Sequence, residues 1–442
     1  MPGRLSPPDT VLRIASTLEK AGYETWCVGG AVRDALLGHP HLDWDLATAA
    51  RPAQIRRLFR RTVPVGIAFG TVGVLDDAGV MHEVTTFRRD VRTDGRHAEV
   101  EFGATLEEDL ARRDYTINAI AYSPSKREIA DPYEGELDLE RRIVRAVGEP
   151  SERMREDRLR ALRAMRFAAR FEFEIDPRTW QAIIDSAPHL ERLSAERVKQ
   201  EIEKTMEQVP MPSRAFSMWQ MSGAFSTLIP DLAEVTGLDL ATIDQLSRPG
   251  LKGRPQRRVM RLIALFAAAP PGNILGVLKA LRFSNSDAAW IASIVTHWSA
   301  LREAMHDAMS AAEAPGDAVI RRWAAAAGRT RLASVLRLAG ARWAAERQAG
   351  MAAPDPARIA SVYRRALRIA YRDPIEVGDL ALTGRDLERL GITGPAVGQT
   401  LRWLLESVIN DPTSNSRERL LAMAQQRPAA GRESEGGPQH RS

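Results

Sequence analysis

The chain has 442 residues, with 62 Lys and Arg against 57 Asp and Glu and a formal net charge of +5. With 44% hydrophobic and 27% charged residues, it has the composition of a globular protein with several cores, not of a disordered chain. The single cysteine, Cys27, excludes an intramolecular disulfide framework and a cysteine-rich zinc site. Because no apolar run is long enough to span a bilayer and the N-terminus lacks a signal-peptide core, we expect a soluble cytoplasmic protein.

The first 150 residues alternate short β-branched runs with helical periods, which indicates a mixed α and β domain. Gly29 and Gly30 predict a turn, and the stretch 90–99 predicts a polar loop. Helices are predicted at 7–21, 31–37, 52–60 and 105–122, and strands at 25–28, 43–47, 72–75, 80–86, 128–131 and 143–147.

From about residue 151 onward the apolar spacing is helical almost throughout, and Pro and Gly breaks separate the helical blocks. The end of the chain, from residue 428, is rich in Gly, Ser, Pro and Arg and is expected to be disordered. Helices are predicted at 156–170, 196–207, 257–268, 287–306, 317–327, 329–350 and 396–408.

The segment VGGAVRDALLGHPHLDWDLAT combines a glycine turn with two nearby carboxylates. Gly29 and Gly30 lie between a strand and a helix, where backbone N–H groups can bind an anion, and Arg33 lies close by. Asp43 and Asp45 alternate along a predicted strand, so both carboxylates face one side. Oxygen ligands at this spacing suit Mg²⁺. An exposed polar strand would explain Asp-x-Asp alone, but the joint spacing is much less expected by chance.

A third carboxylate, Glu83, lies amid apolar and β-branched residues of the strand predicted at 80–86. Beside Asp43 and Asp45 it would complete a two-metal site for an in-line displacement. A solvent-facing glutamate on an edge strand explains the same pattern equally well.

The segment RRDYTINAIAY supplies Arg113, Asp114 and Asn118. On the predicted helix, Asp114 and Asn118 are four residues apart and share a face. The guanidinium can bind a triphosphate, and the Asp and Asn side chains can bind ribose hydroxyls. A capped, charged helix start is the simpler alternative.

In EDRLRALRAMRFAARFEF, an apolar stripe at helical spacing lies opposite Asp157, Arg160 and Arg163, with Arg166 at its border. Cytosine and adenine both present an exocyclic amine beside a ring-nitrogen acceptor. One carboxylate and one arginine a helical turn apart match that pair, whereas uracil and guanine would leave buried groups unpaired. Asp157 and Arg160 can therefore act as a protein template for C and A. A solvated helix with internal salt bridges is the alternative.

Together these motifs resemble the class II tRNA nucleotidyltransferases, the CCA-adding enzymes of the tRNA nucleotidyltransferase/poly(A) polymerase family. The similarity covers roughly residues 20–205 and rests on five ordered motifs. They are the glycine turn with Asp-x-Asp, RRDYTINA, DPYEGELDL, EDRLRALRAMRF and SAERVKQEI.

The resemblance implies roles for individual residues. Asp43 and Asp45 would bind the metals; Gly30, Arg33 and Arg113 would contact the nucleotide; Asp157, Arg160, Arg163 and Arg166 would serve base and phosphate; and Glu196 and Arg197 would brace the template helix. The implied substrates are tRNA, CTP and ATP, with Mg²⁺ as cofactor and without a membrane or a stable protein partner.

The implied fold is α+β: an N-terminal sheet domain like that of DNA polymerase beta, followed by all-helical neck, body and tail domains. The boundaries expected from the chain are 1–150 for the sheet domain, 151–210 for the neck with the template helix, 211–315 for the body, 316–427 for the tRNA-binding tail and 428–442 for the disordered end.

Within the family, RTVPVGIAFGTVGV resembles the CCA-adding kind rather than the basic segment of poly(A) polymerases. The loop at 88–100, which is shortened in CC-adding members, looks intact. Complete CCA addition is therefore expected. The alternatives are A-adding, CC-adding or poly(A) activity and, from another class, a non-catalytic RNA-binding protein.

Overall fold

The computed structural model describes residues 5–39, 43–93, 98–246 and 255–427. The chain forms two compact units, Met1–Ala288 and Ala289–Ser442. The finer division expected at residues 150, 210 and 315 stays a prediction, and the disorder predicted for 428–442 falls outside the described residues. Nowhere in the described part of the chain is a helix both long and apolar enough to cross a membrane.

The first unit contains a seven-stranded sheet and two separate strand pairs. The sheet has the order β3-β4-β5-β2-β1-β8-β9, and its neighbours run antiparallel except β2 and β5, which are parallel. The strands are β1 Thr25–Val28, β2 Asp45–Thr48, β3 Thr62–Gly66, β4 Thr71–Leu75, β5 Met81–Thr86, β6 Arg88–Thr93, β7 Ala98–Phe102, β8 Ala121–Ser123, β9 Glu128–Ala130, β10 Ile143–Val144 and β11 Glu174–Ile175.

Helices α1 and α3 cover the sheet through their contacts with β1, β4 and β5. Leu46, Val72 and Val84 are fully buried, as are Leu18 of α1 and Ile55 of α3, and this burial supplies the hydrophobic stabilisation of the domain. The helices among these strands are α1 Asp9–Lys20, α2 Gly30–Leu36, α3 Pro52–Leu58, α4 Leu106–Ala111 and α5 Gly135–Arg141.

After α5 the described chain is helical apart from β10 and β11, which confirms the α+β class. Helix α7 is buried along most of its length, because α9 and α10 pack against it. The helices that follow are α6 Pro150–Glu156, α7 Leu159–Phe171, α8 Pro177–Ser186, α9 Ala195–Gln208, α10 Pro212–Ser222, α11 Ala224–Leu228, α12 Gly237–Gln245, α13 Pro255–Phe266 and α14 Ile274–Ala280.

The second unit consists of helices, and its core includes Leu387, Leu404, Val408 and Leu420. The first four residues of helix α15 belong to the first unit. The helices are α15 Asn285–Ser310, α16 Asp317–Ala327, α17 Arg329–Gln348, α18 Pro356–Arg372, α19 Gly384–Glu388, α20 Pro395–Asn410 and α21 Arg417–Gln426.

The prediction of one long helix at 105–122 is wrong after the first turns of that segment. Helix α4 starts at a capping box between Thr105 and Glu108 and ends at Ala111. Tyr115 is extended and forms an isolated β-bridge with Ala146, and a short 3₁₀ turn and β8 follow. Backbone pairing with distant residues thus replaces helical hydrogen bonds, which local periodicity cannot indicate.

The loop predicted at 90–99 is also wrong where the structure describes it. β6 and β7 pair antiparallel, and Arg89 forms an ion pair with Glu101 at 2.9 Å. A cross-strand ion pair therefore accompanies two paired strands whose polar sequence resembles a loop.

Two element boundaries differ from the prediction and separate residues that were predicted to lie on the same strand or helix. β2 starts at Asp45, so Asp43 precedes the strand. Asp157 is extended, with φ −148°, and lies between α6 and α7. The prediction that Asp157 and Arg160 lie on one helix is therefore wrong. The strand predicted at 143–147 is restricted to β10.

Candidate active site

A cavity of about 530 Å³ opens on the face of the sheet where β1, β2 and β5 meet. It brings together eleven of the residues predicted from the sequence, although they are spread over more than 130 positions of the chain. These are Gly29, Gly30, Arg33, Asp45, Glu83, Arg113, Asp114, Asn118, Asp157, Arg160 and Arg163.

The sheet register places Asp45 next to Glu83. Leu46 is opposite Val84 in the parallel pair β2 and β5, so the preceding residues on each strand, Asp45 and Glu83, are also neighbours on one face. On the other side, Asp45 is opposite Val28, the last residue of β1 before the glycine turn. Strand pairing therefore places Asp45 between the glycine turn on one side and Glu83 on the other.

The carboxylates of this wall are crowded. Burial, followed by the negative charges of Glu83 and Asp43, raises the pKa of Asp45 to about 6, against the opposing effect of Arg113. A cation among these oxygens would relieve the repulsion, so the donor set suits a hard divalent metal ion.

Asp43 does not line the cavity, although its charge acts on Asp45. Among residues 5–39, 43–93, 98–246 and 255–427, no three or more His, Cys, Asp or Glu side chains lie close enough together to hold a metal ion. The three carboxylates predicted to form a two-metal site are therefore not gathered into one ligand group.

The backbone geometry of the turn explains why position 29 is a glycine. Gly29 has φ +76°, a conformation that residues with side chains rarely adopt, and a Cβ there would lie 3.0 Å from Nη1 of Arg113. Arg113 is held by Asp109, whose Oδ2 accepts from Nη2 at 3.1 Å. The close approach of backbone and guanidinium creates a positively charged corner of the cavity.

Arg33 is buried on α2 and fixed from several sides. Its Nε and Nη2 donate to Oδ1 of Asp34 at 2.8 and 2.6 Å, and its Nη1 donates to Oδ1 of Asn118. The guanidinium also lies 4.6 Å from the ring centre of Phe171. Arg170 of α7 donates to the other oxygen of Asp34 at 3.1 Å, which links α2 to α7.

Asp114 joins the sheet domain to α7. Arg163 donates to its Oδ2 from Nε at 2.8 Å, and Nδ2 of Asn118 donates to its Oδ1 at 2.9 Å. Burial alone would raise the pKa of Asp114, but these two partners and the charge of Arg160 lower it to about 2. Asp114 and Asn118 thus remain in contact as predicted, through a turn and not through a helix.

Asp157 and Arg160 form the opposite wall. Oδ2 of Asp157 accepts from Arg197 of α9 at 2.7 Å, and Oδ1 accepts from the backbone N–H of Leu159 at 3.0 Å. Arg160 donates to Glu156 at 2.9 Å and to the carbonyl of Arg112 at 2.8 Å. The brace expected from Arg197 is thus present, whereas Glu196 instead lies on the exposed surface, 3.6 Å from Arg282.

Arg166 is the second predicted residue that does not line the cavity. It is buried, and its Nε donates to Glu201 of α9 at 2.7 Å while its Nη1 donates to Gln208 at 3.1 Å. This arginine holds α7 against α9. The solvated helix considered as an alternative is wrong for α7, since Arg160 and Arg166 are both buried.

The residues that line the cavity but were not predicted as site residues include Thr71, Thr85, Arg88 and Phe167. Thr85 is two residues after Glu83, so strand alternation could have found it. Thr71 lies opposite Thr85 across β4 and β5, with 3.0 Å between their hydroxyl oxygens. That pairing, like the position of Arg88, depends on register and is not visible in the local sequence.

Comparison with known families places two matches on this chain. The family described as "Poly A polymerase head domain" matches residues 25–145, which contain the sheet, and the family described as "Probable RNA and SrmB- binding site of polymerase A" matches residues 172–236.

Similar proteins match over nearly the whole length. The CCA-adding enzyme of Geobacillus kaustophilus is 34% identical over 428 residues, which cover 96% of this chain and 98% of that protein. The CCA-adding enzyme of Pediococcus pentosaceus is 32% identical over 92% of this chain and 95% of its own length. The crystal structure of Bacillus stearothermophilus CCA-adding enzyme in complex with CTP is 33% identical, with a TM-score of 0.67 over 95% of this chain and 97% of that one.

Proposed function

This chain belongs to the family of CCA-adding enzymes, and we propose that it adds C, C and A to the 3′ end of tRNA from CTP and ATP without a nucleic-acid template. The 3′-hydroxyl of tRNA attacks the α-phosphorus of the nucleotide, a new phosphodiester bond forms, and pyrophosphate leaves. The proposed place of action is the cytoplasm.

The observation that carries this proposal is the meeting of three kinds of group in one cavity. A positively charged corner at Gly29 and Arg113, the carboxylates Asp45 and Glu83, and the polar wall at Asp157 all line it. These groups suit the phosphates, the reacting centre and the base of one nucleoside triphosphate. A non-catalytic RNA-binding protein would have no use for the crowded carboxylates.

The corner at Arg113 is suited to the negative charge of a triphosphate, because a guanidinium binds phosphate oxygens through several N–H groups. Arg33 is already fixed by Asp34 and Asn118. We therefore assign Arg33 to orienting Asn118 and the turn, and Arg113 to direct phosphate contact. Positioning of the reactants and charge stabilisation are the main contributions that such a site makes.

Enzymes of this family generally use divalent metal ions. In this chain we assign the ions to Asp45 and Asp43, with Glu83 beside them, and we propose Mg²⁺, which prefers carboxylate oxygens and substrate phosphates. The chemistry that Mg²⁺ supplies when bound is a lower pKa for the attacking hydroxyl and charge stabilisation of the leaving pyrophosphate.

Nucleotide choice is assigned to Asp157 and Arg160. The hydrogen bonds to Asp157 use one lone pair of each carboxylate oxygen, so the carboxylate can still accept from the exocyclic amine of C or A. Arg160 has five N–H donors, more than its bonds to Glu156 and the Arg112 carbonyl use. Uracil and guanine would set donor against donor and acceptor against acceptor at these two groups.

The test is an incubation of the purified protein with tRNA that lacks its 3′ CCA, Mg²⁺ and labelled CTP and ATP, followed by sequencing of the product ends. We expect ends in CCA. Ends in CC alone, a single A or a long run of A would assign the chain to one of the other activities in the family. A failure to incorporate any nucleotide would overturn the proposal.

A further inference from the structure

Exposed apolar side chains are concentrated at one edge of the sheet. Of the fourteen exposed large hydrophobic residues in the described part of the chain, six lie between positions 63 and 81. We call this group the apolar strip. It consists of Val63, Val65, Ile67, Phe69, Val80 and Met81, and their exposed fractions range from 37% to 54%.

Strand register places Val63 of the apolar strip on the same face of the sheet as the carboxylates. Val63 of β3 is opposite Gly73 of β4, and Gly73 is opposite Glu83 of β5. Residues directly opposite one another point to the same side, and Asp45 is the next neighbour of Glu83. Asp45, Glu83, Gly73 and Val63 therefore form one row across the sheet, from the candidate active site to the edge strand β3.

Gly73 brings the apolar side chains close to Glu83. A Cβ at Gly73 would lie 2.7 Å from Sδ of Met81 and 3.0 Å from Cγ2 of Val65. These two side chains thus lie over the glycine, on the face that its missing side chain would occupy. Met81 is two residues before Glu83 on β5, so the apolar strip adjoins the carboxylate wall of the cavity.

Arginines lie at both ends of the apolar strip. Arg88 lines the cavity and donates from Nη1 to the carbonyl of Phe69. Arg61 directly precedes β3, is exposed, and donates from Nη1 to the carbonyl of Asp76 at 3.0 Å. The apolar surface is therefore bounded by positive charge at the cavity and at the opposite end.

An apolar surface with an exposed aromatic ring and flanking arginines is the chemistry that binds unpaired nucleobases, because the bases stack on apolar and aromatic groups while the cations meet the phosphates. Continuity with the carboxylates places such bases immediately before the reacting 3′ end. A protein partner or a second copy of this chain would explain the apolar side chains but not their row to Glu83.

We propose that the apolar strip binds the unpaired 3′-terminal nucleotides of the RNA that receives the new nucleotide. Their bases stack on Phe69, Val65 and Met81, and their phosphates meet Arg88 and Arg61. This inference rests on the proposed function and deepens it, since it assigns a surface to the acceptor strand.

The test compares the affinity of the protein for two RNA duplexes that differ only in an unpaired 3′ extension, without CTP, ATP or metal ions and at fixed salt. The wild-type chain should prefer the extended duplex. The double variant Val65→Ser, Phe69→Ser should lose about tenfold in affinity for it and bind the blunt duplex unchanged. Phe69→Tyr keeps an aromatic ring and should retain the preference. The matched control, Leu12→Ser, alters an apolar residue of α1 whose exposed fraction equals that of Val63, and it should also retain the preference.

An unchanged preference in a double variant that keeps the wild-type circular dichroism spectrum would overturn the inference. So would a wild-type dimer that the double variant converts to monomers without an effect on RNA binding. CTP incorporation is measured separately. A chain that incorporates no nucleotide but loses its preference in the double variant supports the apolar strip and refutes the proposed function.

Discussion

The two walls of the candidate active site differ in how their charges are compensated. On the sheet wall, Asp45 and Glu83 adjoin, and burial and the negative charges of Glu83 and Asp43 outweigh the effect of Arg113, so the pKa of Asp45 is raised to about 6. On the helical wall, formed by Asp157 and Arg160, Asp157 accepts from Arg197. Asp114, which joins this wall to the sheet domain, accepts from Arg163, and its pKa is lowered to about 2. The sheet wall thus gains from an added cation, whereas the helical wall is organised before any ligand binds.

The largest effect is expected on the sheet wall. Asp45→Asn removes a carboxylate that we assign to metal binding, which contributes several kcal/mol to charge stabilisation in the transition state. The kcat of nucleotide addition should fall at least about 100-fold, while the affinity for tRNA stays within about twofold. Steady-state kinetics and an RNA-binding titration measure the two effects.

Asp77→Asn is the matched control, because Asp77 is fully exposed at the turn between β4 and β5 and lies 3.9 Å from its nearest cation, Arg13. It should leave kcat unchanged. Wild-type turnover in the Asp45→Asn variant would refute the assignment of Asp45.

On the helical wall the expected effect is on stability. Asp114→Asn removes the charged partner of Arg163, a guanidinium that is only 30% exposed, so the free energy of unfolding should fall by about 2 kcal/mol. Denaturant titrations of the wild type and the variant at neutral pH measure this loss. A change below about 0.5 kcal/mol would show that the ion pair does not stabilise the wall.

The same residue predicts a dependence on pH. Because folding lowers the pKa of Asp114 from its ordinary value of 3.8 to about 2, its stabilising effect is present above pH 4 and is lost as the pH falls toward 2. The shift corresponds to about 2 kcal/mol. The difference in unfolding free energy between wild type and Asp114→Asn should therefore shrink over this range. A constant difference would contradict the predicted pKa.

The smallest effect is expected behind the helical wall, at Arg197. Arg197→Ala removes the hydrogen bond that orients Asp157, so discrimination of CTP and ATP against UTP and GTP should fall about tenfold. The measurement is the ratio of kcat/KM values for the four nucleotides. The neighbouring variant Glu196→Ala is the control, since Glu196 is exposed and should leave selectivity unchanged. Equal effects of both variants would argue against orientation by Arg197.

Much of the fold followed from local sequence. The apolar spacing predicted α1, α9 and α15 to α17 to within a few residues, and β-branched runs predicted β1, β4 and β5. The local sequence gave wrong predictions at 105–122 and 90–99. There the pairing of Tyr115 with Ala146 and of β6 with β7 decides the conformation. Such pairings join residues that are distant or polar, and hydrophobic periodicity carries no information about them.

The candidate site shows the same division. The motifs identified eleven residues that line one cavity, because each residue type suits phosphate, metal or base. They did not indicate that Arg166 faces Glu201 instead of the cavity, or that Arg197 rather than Glu196 reaches Asp157. Position on a helix restricts which way a side chain points, but the packing of a second helix decides which polar group it meets.

The sequence by itself determined the chemistry of this protein, since residue types and their spacing along the chain are enough to indicate carboxylates, arginines and a glycine turn. Only the tertiary structure decided which of them meet. Parallel pairing of β2 with β5 places Asp45 beside Glu83, and antiparallel pairing through Gly73 extends that face to Val63. Strand order and register are set by the packing of the whole domain, so no local segment contains them.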